Sequence, residues 1–263
     1  MRPITRAQAL LPVVLLIACD RSDAPSQPRV PQGGASAVST EPTPLIRVDV
    51  DDDQTRRERA ELIRGIELRE KVGPRVAKAM LQVPRHAFVP EPQRYRAYED
   101  TPLTIGHGQT ISQPTVVAMM TEALELRGDE VVLEVGTGSG YQAAVLATLV
   151  KRVETIEIVE PLALAARTTL RELGYANVNV HVGDGYAGLP SLGPFDRIII
   201  TAAPPEVPPK LIEQLKKGGK MVLPVGPRFG VQDLLVIERL EDGRLREKNL
   251  GAVRFVPMVR GDE

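Results

Sequence analysis

Cysteine, tryptophan and histidine are scarce in this 263-residue sequence, which contains one cysteine, no tryptophan and three histidines. The single cysteine, Cys19, excludes an internal disulfide and a cysteine-based metal cluster. Three histidines do not favour a histidine-rich metal centre, so no metal site is predicted. The chemistry must then come from backbone, hydroxyl and carboxylate groups, or from a cofactor.

An excess of charge of either sign is also missing. The 33 basic and 34 acidic residues give a formal net charge of −1, and the two signs are interspersed along the chain. Aromatic residues make up only 3% of the sequence, so platforms for stacking bases are not expected. A nucleic-acid partner is therefore not predicted.

The one marked hydrophobic run, residues 9–18, is too short to span a bilayer as a helix. It follows Arg2 and Arg6 and ends in Leu-Ile-Ala-Cys, which resembles the bacterial lipoprotein signal. That resemblance implies a signal-like segment over residues 1–19 and a lipid anchor at Cys19. A chance apolar patch and a start codon farther downstream remain open alternatives.

Residues 20–54 are rich in proline, serine and glycine and poor in large apolar residues. This composition predicts a disordered tether. A domain of residues 55–263 follows, because helical periodicity begins at Thr55.

A buried-strand pattern at residues 131–135 leads directly into Gly136, Gly138 and Gly140. Glycine adopts positive φ and carries no side chain that would hold a ligand away from the backbone. A dinucleotide fingerprint requires the spacing G-x-G-x-x-G, and here the third glycine comes one residue too early. The spacing favours a nucleoside ligand without pyrophosphate, such as S-adenosylmethionine, over a tight turn that binds nothing.

Strands and helices then alternate, which predicts a mostly parallel, doubly wound α/β sheet with helices on both faces. An Asp-Gly turn at residues 242–243 joins two final strands into an antiparallel hairpin. This arrangement resembles class I methyltransferases. The predicted strands are 131–135, 153–158, 178–182, 196–201, 220–225, 234–239 and 245–254, and the predicted helices between them are 143–150, 161–173 and 209–217.

Ligands of such sheets bind at the carboxyl ends of the strands. Glu157 lies near the end of the second strand, about twenty residues after the first glycine, where an acid accepts hydrogen bonds from ribose hydroxyls. The third strand is followed by Asp184 and Gly185, either as a plain turn or as an acceptor for an adenine amino group. We therefore predict that Glu157, Asp184 and Gly185 join the three glycines in cofactor binding.

The fourth strand is followed by Ala203 and Pro204, in a Pro-Pro loop that resembles the acceptor loop of amino-methyltransferases. Ala203 stands where that loop has Asn or Asp, so an oxygen acceptor is predicted instead of an amine. Both residues are candidates for substrate binding.

Residues 84–113 show no clear period and are predicted to form a long functional connection that covers the ligand. Near its end, Thr110 and Ser112 carry hydroxyls just before a helix. Ser112 could also be only the N-cap of that helix. No base and acid pair accompanies Ser112, so it is not predicted to be a nucleophile, and His107 is not predicted to be a base.

At these residues the sequence resembles the protein-L-isoaspartate O-methyltransferase family. The resemblance covers residue 55 to the C-terminus, and G-Q-T-I-S-Q-P is its most specific motif. The departures are Thr104, where bacterial members tend to have proline, and the leader with its tether. The matching stretches are residues 83–85, 88–89, 105–114, 133–142, 183–185, 201–205, 218–219, 223–226 and 253–257.

The resemblance implies transfer of a methyl group from S-adenosylmethionine to the α-carboxyl of L-isoaspartyl residues in damaged proteins, which starts repair through a succinimide. It also implies that Ser112 is the active-site serine and that Thr110 and Ile111 line the substrate pocket. A class I O-methyltransferase acting on a small carboxylate or hydroxyl compound is the alternative enzyme. An envelope lipoprotein that kept the fold only for binding is the alternative outside catalysis.

The sequence leaves two alternatives for the cellular location of the protein. S-adenosylmethionine is made in the cytosol, so the family and its donor imply a cytoplasmic enzyme. Lipidation of Cys19 would instead give a membrane-tethered envelope protein.

Overall fold

The computed structural model describes residues 51–261. The signal-like segment with Cys19, and the tether as far as residue 50, lie outside the described residues. Helix α1 (Asp53–Arg69) begins two residues before the boundary predicted at Thr55. Its start is fixed by Asp52, whose carboxylate accepts from the Thr55 N–H at 2.7 Å as an N-cap.

The remaining elements follow in chain order. Helix α2 (Pro74–Gln82) precedes the hairpin strands β1 (Leu103–Gly106) and β2 (Gln109–Ile111), and helix α3 (Pro114–Ala123) comes next. The alternating part consists of β3 (Val131–Val135), α4 (Tyr141–Ala147), β4 (Arg152–Glu157), α5 (Glu160–Glu172), β5 (Val178–Val182), β6 (Phe195–Ile200), α6 (Pro209–Glu213), β7 (Leu215–Val225), β8 (Gln232–Arg239) and β9 (Leu245–Val253).

The main sheet has seven strands in the order β5-β4-β3-β6-β7-β8-β9. The first five pair in parallel, and β8 and β9 pair antiparallel, which confirms the predicted doubly wound sheet with its C-terminal hairpin. The chain passes from β3 to β4 on one side and later to β6 on the other. The carboxyl end of β3 is therefore the point where a doubly wound sheet opens a crevice for ligands.

Apolar side chains cover both faces of the sheet. One face packs Val132 and Val153 against helices α1 to α5. The other packs Leu133 and Ile198 against Leu211 of α6. Within residues 51–261, no helix is both long and apolar enough to cross a membrane.

The connection over residues 84–113, which shows no clear period in the sequence, contains regular structure. The segment contains two short 3-10 helices, Arg85–Phe88 and Glu91–Arg96, followed by the β1–β2 hairpin. The elements are too short to produce a periodic pattern, and their prolines and glycines are typical of loops.

The helix predicted at residues 209–217 is also shorter than expected. It ends at Glu213, and β7 begins at Leu215 because Leu215 pairs with Phe195 of β6. The register then shifts between Leu215 and Lys220, which pairs with Arg197, and Gly218 in this stretch has a φ of 75°.

Candidate active site

The glycine turn lies at the carboxyl end of β3, as predicted. Gly136, Gly138 and Gly140 all have positive φ, at 97°, 52° and 88°. The backbone N–H of Gly136 donates to the Ile156 carbonyl of β4 at 2.9 Å, so the first residue of the turn is fixed to the neighbouring strand.

The three glycines are required for different reasons. A Cβ on Gly136 would lie 2.5 Å from the Thr201 hydroxyl oxygen, a distance that no real Cβ contact allows. A Cβ on Gly140 would crowd Leu170 of α5 at 3.2 Å. Gly138 has more room, because its Cβ would lie 3.5 Å from Ile105 of the hairpin. Gly136 and Gly140 therefore let the turn pack against Thr201 and against helix α5, and Gly138 lies beneath the hairpin.

Glu157, the predicted ribose acceptor, is buried beside this turn. One carboxylate oxygen accepts from the Gly138 N–H at 2.8 Å, and the other accepts from the Val159 N–H at 2.9 Å. A carboxylate has about four acceptor sites. Two therefore remain for hydroxyl groups of a ligand, which fits a ribose.

A cavity opens above the turn, with about 760 Å³ of space including its open mouth. The structure brings most of the predicted site residues together around it. Those that line the cavity are Thr110, Ile111, Ser112, Gly136, Gly138, Glu157 and Gly185.

Ser112 follows β2 and faces the cavity. The alternative that it serves as the N-cap of α3 is wrong, because Gln113 occupies that position and caps with no side-chain hydrogen bond. Within residues 51–261 the Ser112 hydroxyl has no hydrogen-bond partner. It is therefore available to a ligand.

Four of the predicted site residues do not line the cavity. Gly140 packs against α5. Asp184 accepts from the Tyr186 N–H at 2.8 Å and so stabilises its own turn. Ala203 is 1% exposed and exchanges backbone hydrogen bonds with the C-terminal segment at Val256 and Met258, at 2.8 and 2.9 Å. Pro204, the next residue, is buried as well.

Several lining residues were not predicted. Thr137, Ser139 and Gln142 belong to the glycine turn or the helix after it, and the hydroxyls between the glycines were a signal that could have identified the first two. Thr201, Ala202 and residues 256–259 also line the cavity. The C-terminal segment reaches the site through a bridge between Ala203 and Pro257, which no local sequence pattern reveals.

Glu134, in β3 just before the glycine turn, is completely buried. Neither of its carboxyl oxygens has a hydrogen-bond partner among residues 51–261. Burial raises the pKa of Glu134 to about 8, and the nearby Glu157 carboxylate acts in the same direction. The side chain is therefore a neutral acid at neutral pH.

Replacing Glu134 with glutamine is expected to change how stability depends on pH. Because the pKa is higher in the folded state than in the unfolded state, the contribution of Glu134 is fully present at low pH. It is lost as the pH rises from about 4.5, the ordinary pKa of a glutamate carboxyl, through about 8. Thermal unfolding of wild type and Glu134→Gln from pH 5 to 9 should show the wild type losing Tm relative to the variant. Parallel curves would contradict a raised pKa.

The doubly wound sheet, the glycine turn without pyrophosphate spacing and the acid at the next strand end define a class I S-adenosylmethionine-dependent methyltransferase. Comparison with known proteins identifies the family. The model of the family described as protein-L-isoaspartate(D-aspartate) O-methyltransferase matches residues 57–263.

Individual relatives support the same family assignment. Protein-L-isoaspartate O-methyltransferase 2 of Syntrophobacter fumaroxidans is 50% identical over 220 residues, which cover 80% of this chain and 89% of the relative. The enzyme of Opitutus terrae is 57% identical over 182 residues, or 69% and 78% of the two chains. A solved structure from Plasmodium falciparum, described as a putative protein-L-isoaspartate O-methyltransferase in complex with S-adenosyl-L-homocysteine, matches with a TM-score of 0.69 and 26% identity, covering 77% of this chain and 98% of that one.

The chain belongs to the protein-L-isoaspartate O-methyltransferase family. It is an S-adenosylmethionine-dependent enzyme that methylates L-isoaspartyl residues in proteins. The resemblance seen in the sequence is confirmed.

Proposed function

We propose that the Ser112 hydroxyl binds one oxygen of the isoaspartyl α-carboxylate and so orients the other oxygen for methyl transfer. The observation that carries this role is that Ser112 lines the cavity and that its hydroxyl forms no hydrogen bond with the residues from 51 to 261. S-adenosylmethionine, when bound, supplies an electrophilic methyl group. The residues that would hold it are Gly136, Gly138 and Glu157, with Gly185 at the next strand end.

Thr110 and Ile111 belong to the same proposed substrate pocket. Both lie on β2, two residues and one residue before Ser112, and both line the cavity. We assign Ala203 and Pro204 a supporting role, because Ala203 holds the C-terminal segment that forms part of the cavity wall. Gly140 likewise supports the shape of the site. Asp184 stays a proposed cofactor-binding residue, because its carboxylate accepts one backbone hydrogen bond and has acceptor sites left for a ligand.

The titratable groups around the cavity favour a carboxylate acceptor over the hydroxyl compound of the alternative function. Among the described residues that line it, only Glu157 and Tyr141 can ionise. Glu157 accepts two backbone hydrogen bonds, and burial raises the pKa of Tyr141 to about 12. Neither is suited to remove a proton from an alcohol at neutral pH. A carboxylate acceptor is already ionised and needs no base.

The hairpin of β1 and β2 would exclude water from the reaction. Ile105 of β1 is 9% exposed, and its Cδ1 lies over Gly138 of the turn. A closed site holds the two reacting groups in line and strengthens each electrostatic contact inside it.

The absence of a required base predicts a flat pH profile for the chemical step. Single-turnover rates with an isoaspartyl peptide should vary less than about threefold between pH 6 and 9, because a carboxyl group with a pKa near 4 is ionised throughout. Rapid quenching with labelled donor at each pH would measure this. A tenfold rise per pH unit would indicate a general base and count against the proposed mechanism.

We propose that the enzyme acts in the cytoplasm on proteins and not on nucleic acid, since its methyl donor is made there. The alternative is an envelope protein anchored by a lipid on Cys19, which lies outside the described residues. Fractionation with lipid labelling, wild type against Cys19→Ser, distinguishes them. Labelled membrane-bound protein that becomes soluble on substitution would establish the anchor.

A further inference from the structure

Asp100 joins the two ends of the segment that contains the β1–β2 hairpin and Ser112. One oxygen of the Asp100 carboxylate accepts from the Thr115 N–H at 2.9 Å. The other accepts from the Thr115 hydroxyl at 2.6 Å. The backbone carbonyl of Asp100 accepts from the Gln113 side chain at 3.1 Å. Residues just before β1 and just after Ser112 are thus joined directly.

These bonds replace a missing helix cap. Helix α3 begins at Pro114, which has no N–H, and its N-cap Gln113 provides no side-chain acceptor to the first turn. The Thr115 N–H would be left without a partner by the local sequence. Asp100, fifteen residues earlier, supplies the acceptor. The start of α3, and with it the position of Ser112, depends on that distant side chain.

Asp100 is itself held from both sides. The Arg85 guanidinium, fully buried, donates to the carbonyls of Ala97 at 2.9 Å and Thr101 at 3.4 Å. It also lies 5.0 Å from the ring centroid of Tyr141, a residue of the cavity wall. The chain around Asp100 is therefore fixed relative to the site.

We propose that Asp100 is a positioning residue for methyl transfer, which holds Ser112 in place by capping α3 through Thr115. This inference rests on the role proposed for Ser112. Asp100 also pairs with Arg69 at 2.9 Å, but Arg69 is about half exposed, and exposed ion pairs contribute little. The cap, and not the ion pair, is the important contact.

The test compares Asp100→Ala with two matched variants, at a temperature well below unfolding. Asp100→Ala should lower kcat about 10- to 100-fold, since small misplacements of a catalytic group have effects of that order. The Kd for S-adenosylmethionine, measured by calorimetry, should stay within about twofold of wild type, because Asp100 does not line the cavity. Asp100→Asn, which keeps an oxygen for the Thr115 N–H, should restore part of the loss. Arg69→Ala removes only the ion pair and should leave kcat within about twofold.

A double variant identifies the route of the effect. If Asp100 acts through Ser112, Ser112→Ala with Asp100→Ala should be no slower than Ser112→Ala alone. Effects that multiply would overturn the proposal, as would an Asp100→Ala enzyme with lowered Tm but unchanged kcat. If Ser112→Ala alone leaves kcat unchanged while Asp100→Ala lowers it, the role proposed for Ser112 is contradicted, and so is the route from Asp100 through Ser112.

Asp100→Leu combined with Thr115→Val provides a second test should Asp100→Ala not fold. The pair removes the acceptor for the Thr115 N–H together with the hydroxyl bond, and it replaces two polar partners by apolar side chains of similar size, which preserves stability best. A lowered kcat with unchanged donor binding supports the proposal, and unchanged kcat overturns it.

Discussion

Ser112→Ala is expected to lower kcat roughly 10- to 100-fold and to leave the Kd for S-adenosylmethionine within about twofold. A hydrogen bond to a charged group contributes about 1.5–3 kcal/mol, and each 1.4 kcal/mol is a factor of ten in rate. Glu157 and the glycine turn, which are proposed to bind S-adenosylmethionine, form no hydrogen bond with the Ser112 hydroxyl. Steady-state kinetics with an isoaspartyl peptide, together with calorimetric titration of the donor, would measure both quantities.

Ser191→Ala is the matched control, because it removes the same hydroxyl from an exposed turn before β6. It should change neither kcat nor the Kd for S-adenosylmethionine. Equal losses of turnover and donor binding in Ser112→Ala would indicate a general distortion of the cavity. An unchanged kcat would remove Ser112 from the reaction.

Gly136→Val is expected to abolish detectable binding of S-adenosylmethionine. The φ of 97° at Gly136 is a conformation that a β-branched residue rarely adopts, and the new Cβ would lie 2.5 Å from the Thr201 hydroxyl oxygen. That hydroxyl now donates to the Gly136 carbonyl at 2.7 Å. The turn must move, and the contact between Gly138 and Glu157 moves with it. Strain and overpacking together should destabilise the fold by about 2–5 kcal/mol.

Gly174→Val separates the effect of backbone strain from the effect of overpacking in the turn. Gly174 follows α5, has a φ of 83°, and a Cβ there would meet nothing within 4 Å. This variant should lose about 1–2 kcal/mol from strain alone and bind the donor normally. Calorimetry and thermal unfolding of both variants test the comparison. Normal donor binding by Gly136→Val would mean that the turn does not form the site.

The sheet could be predicted from the sequence because its signal is local. The β-branched run of β3 stands between two helical patterns, and an Asp-Gly pair marks the last hairpin. The glycine turn and Glu157 were likewise predictable, because strand ends in a parallel sheet meet at one edge.

The rest of the site depends on contacts between residues far apart in sequence. The contact of residues 256–259 with the cavity requires their bridge to Ala203, and the cap on Thr115 comes from Asp100. Asp184 has the same sequence signal as Glu157, yet Glu157 lines the cavity and Asp184 does not. A strand-end acid alone does not indicate which of these two positions its side chain takes.

The most direct test of the central claim is methyl transfer by the purified chain. The assay would offer labelled S-adenosylmethionine and one peptide prepared in isoaspartyl and normal aspartyl forms. Label on the isoaspartyl peptide alone, lost on mild alkaline hydrolysis as expected for a methyl ester, is the predicted result. Donor binding without transfer to either peptide would contradict it, and transfer to a small carboxylate compound instead would establish the alternative enzyme.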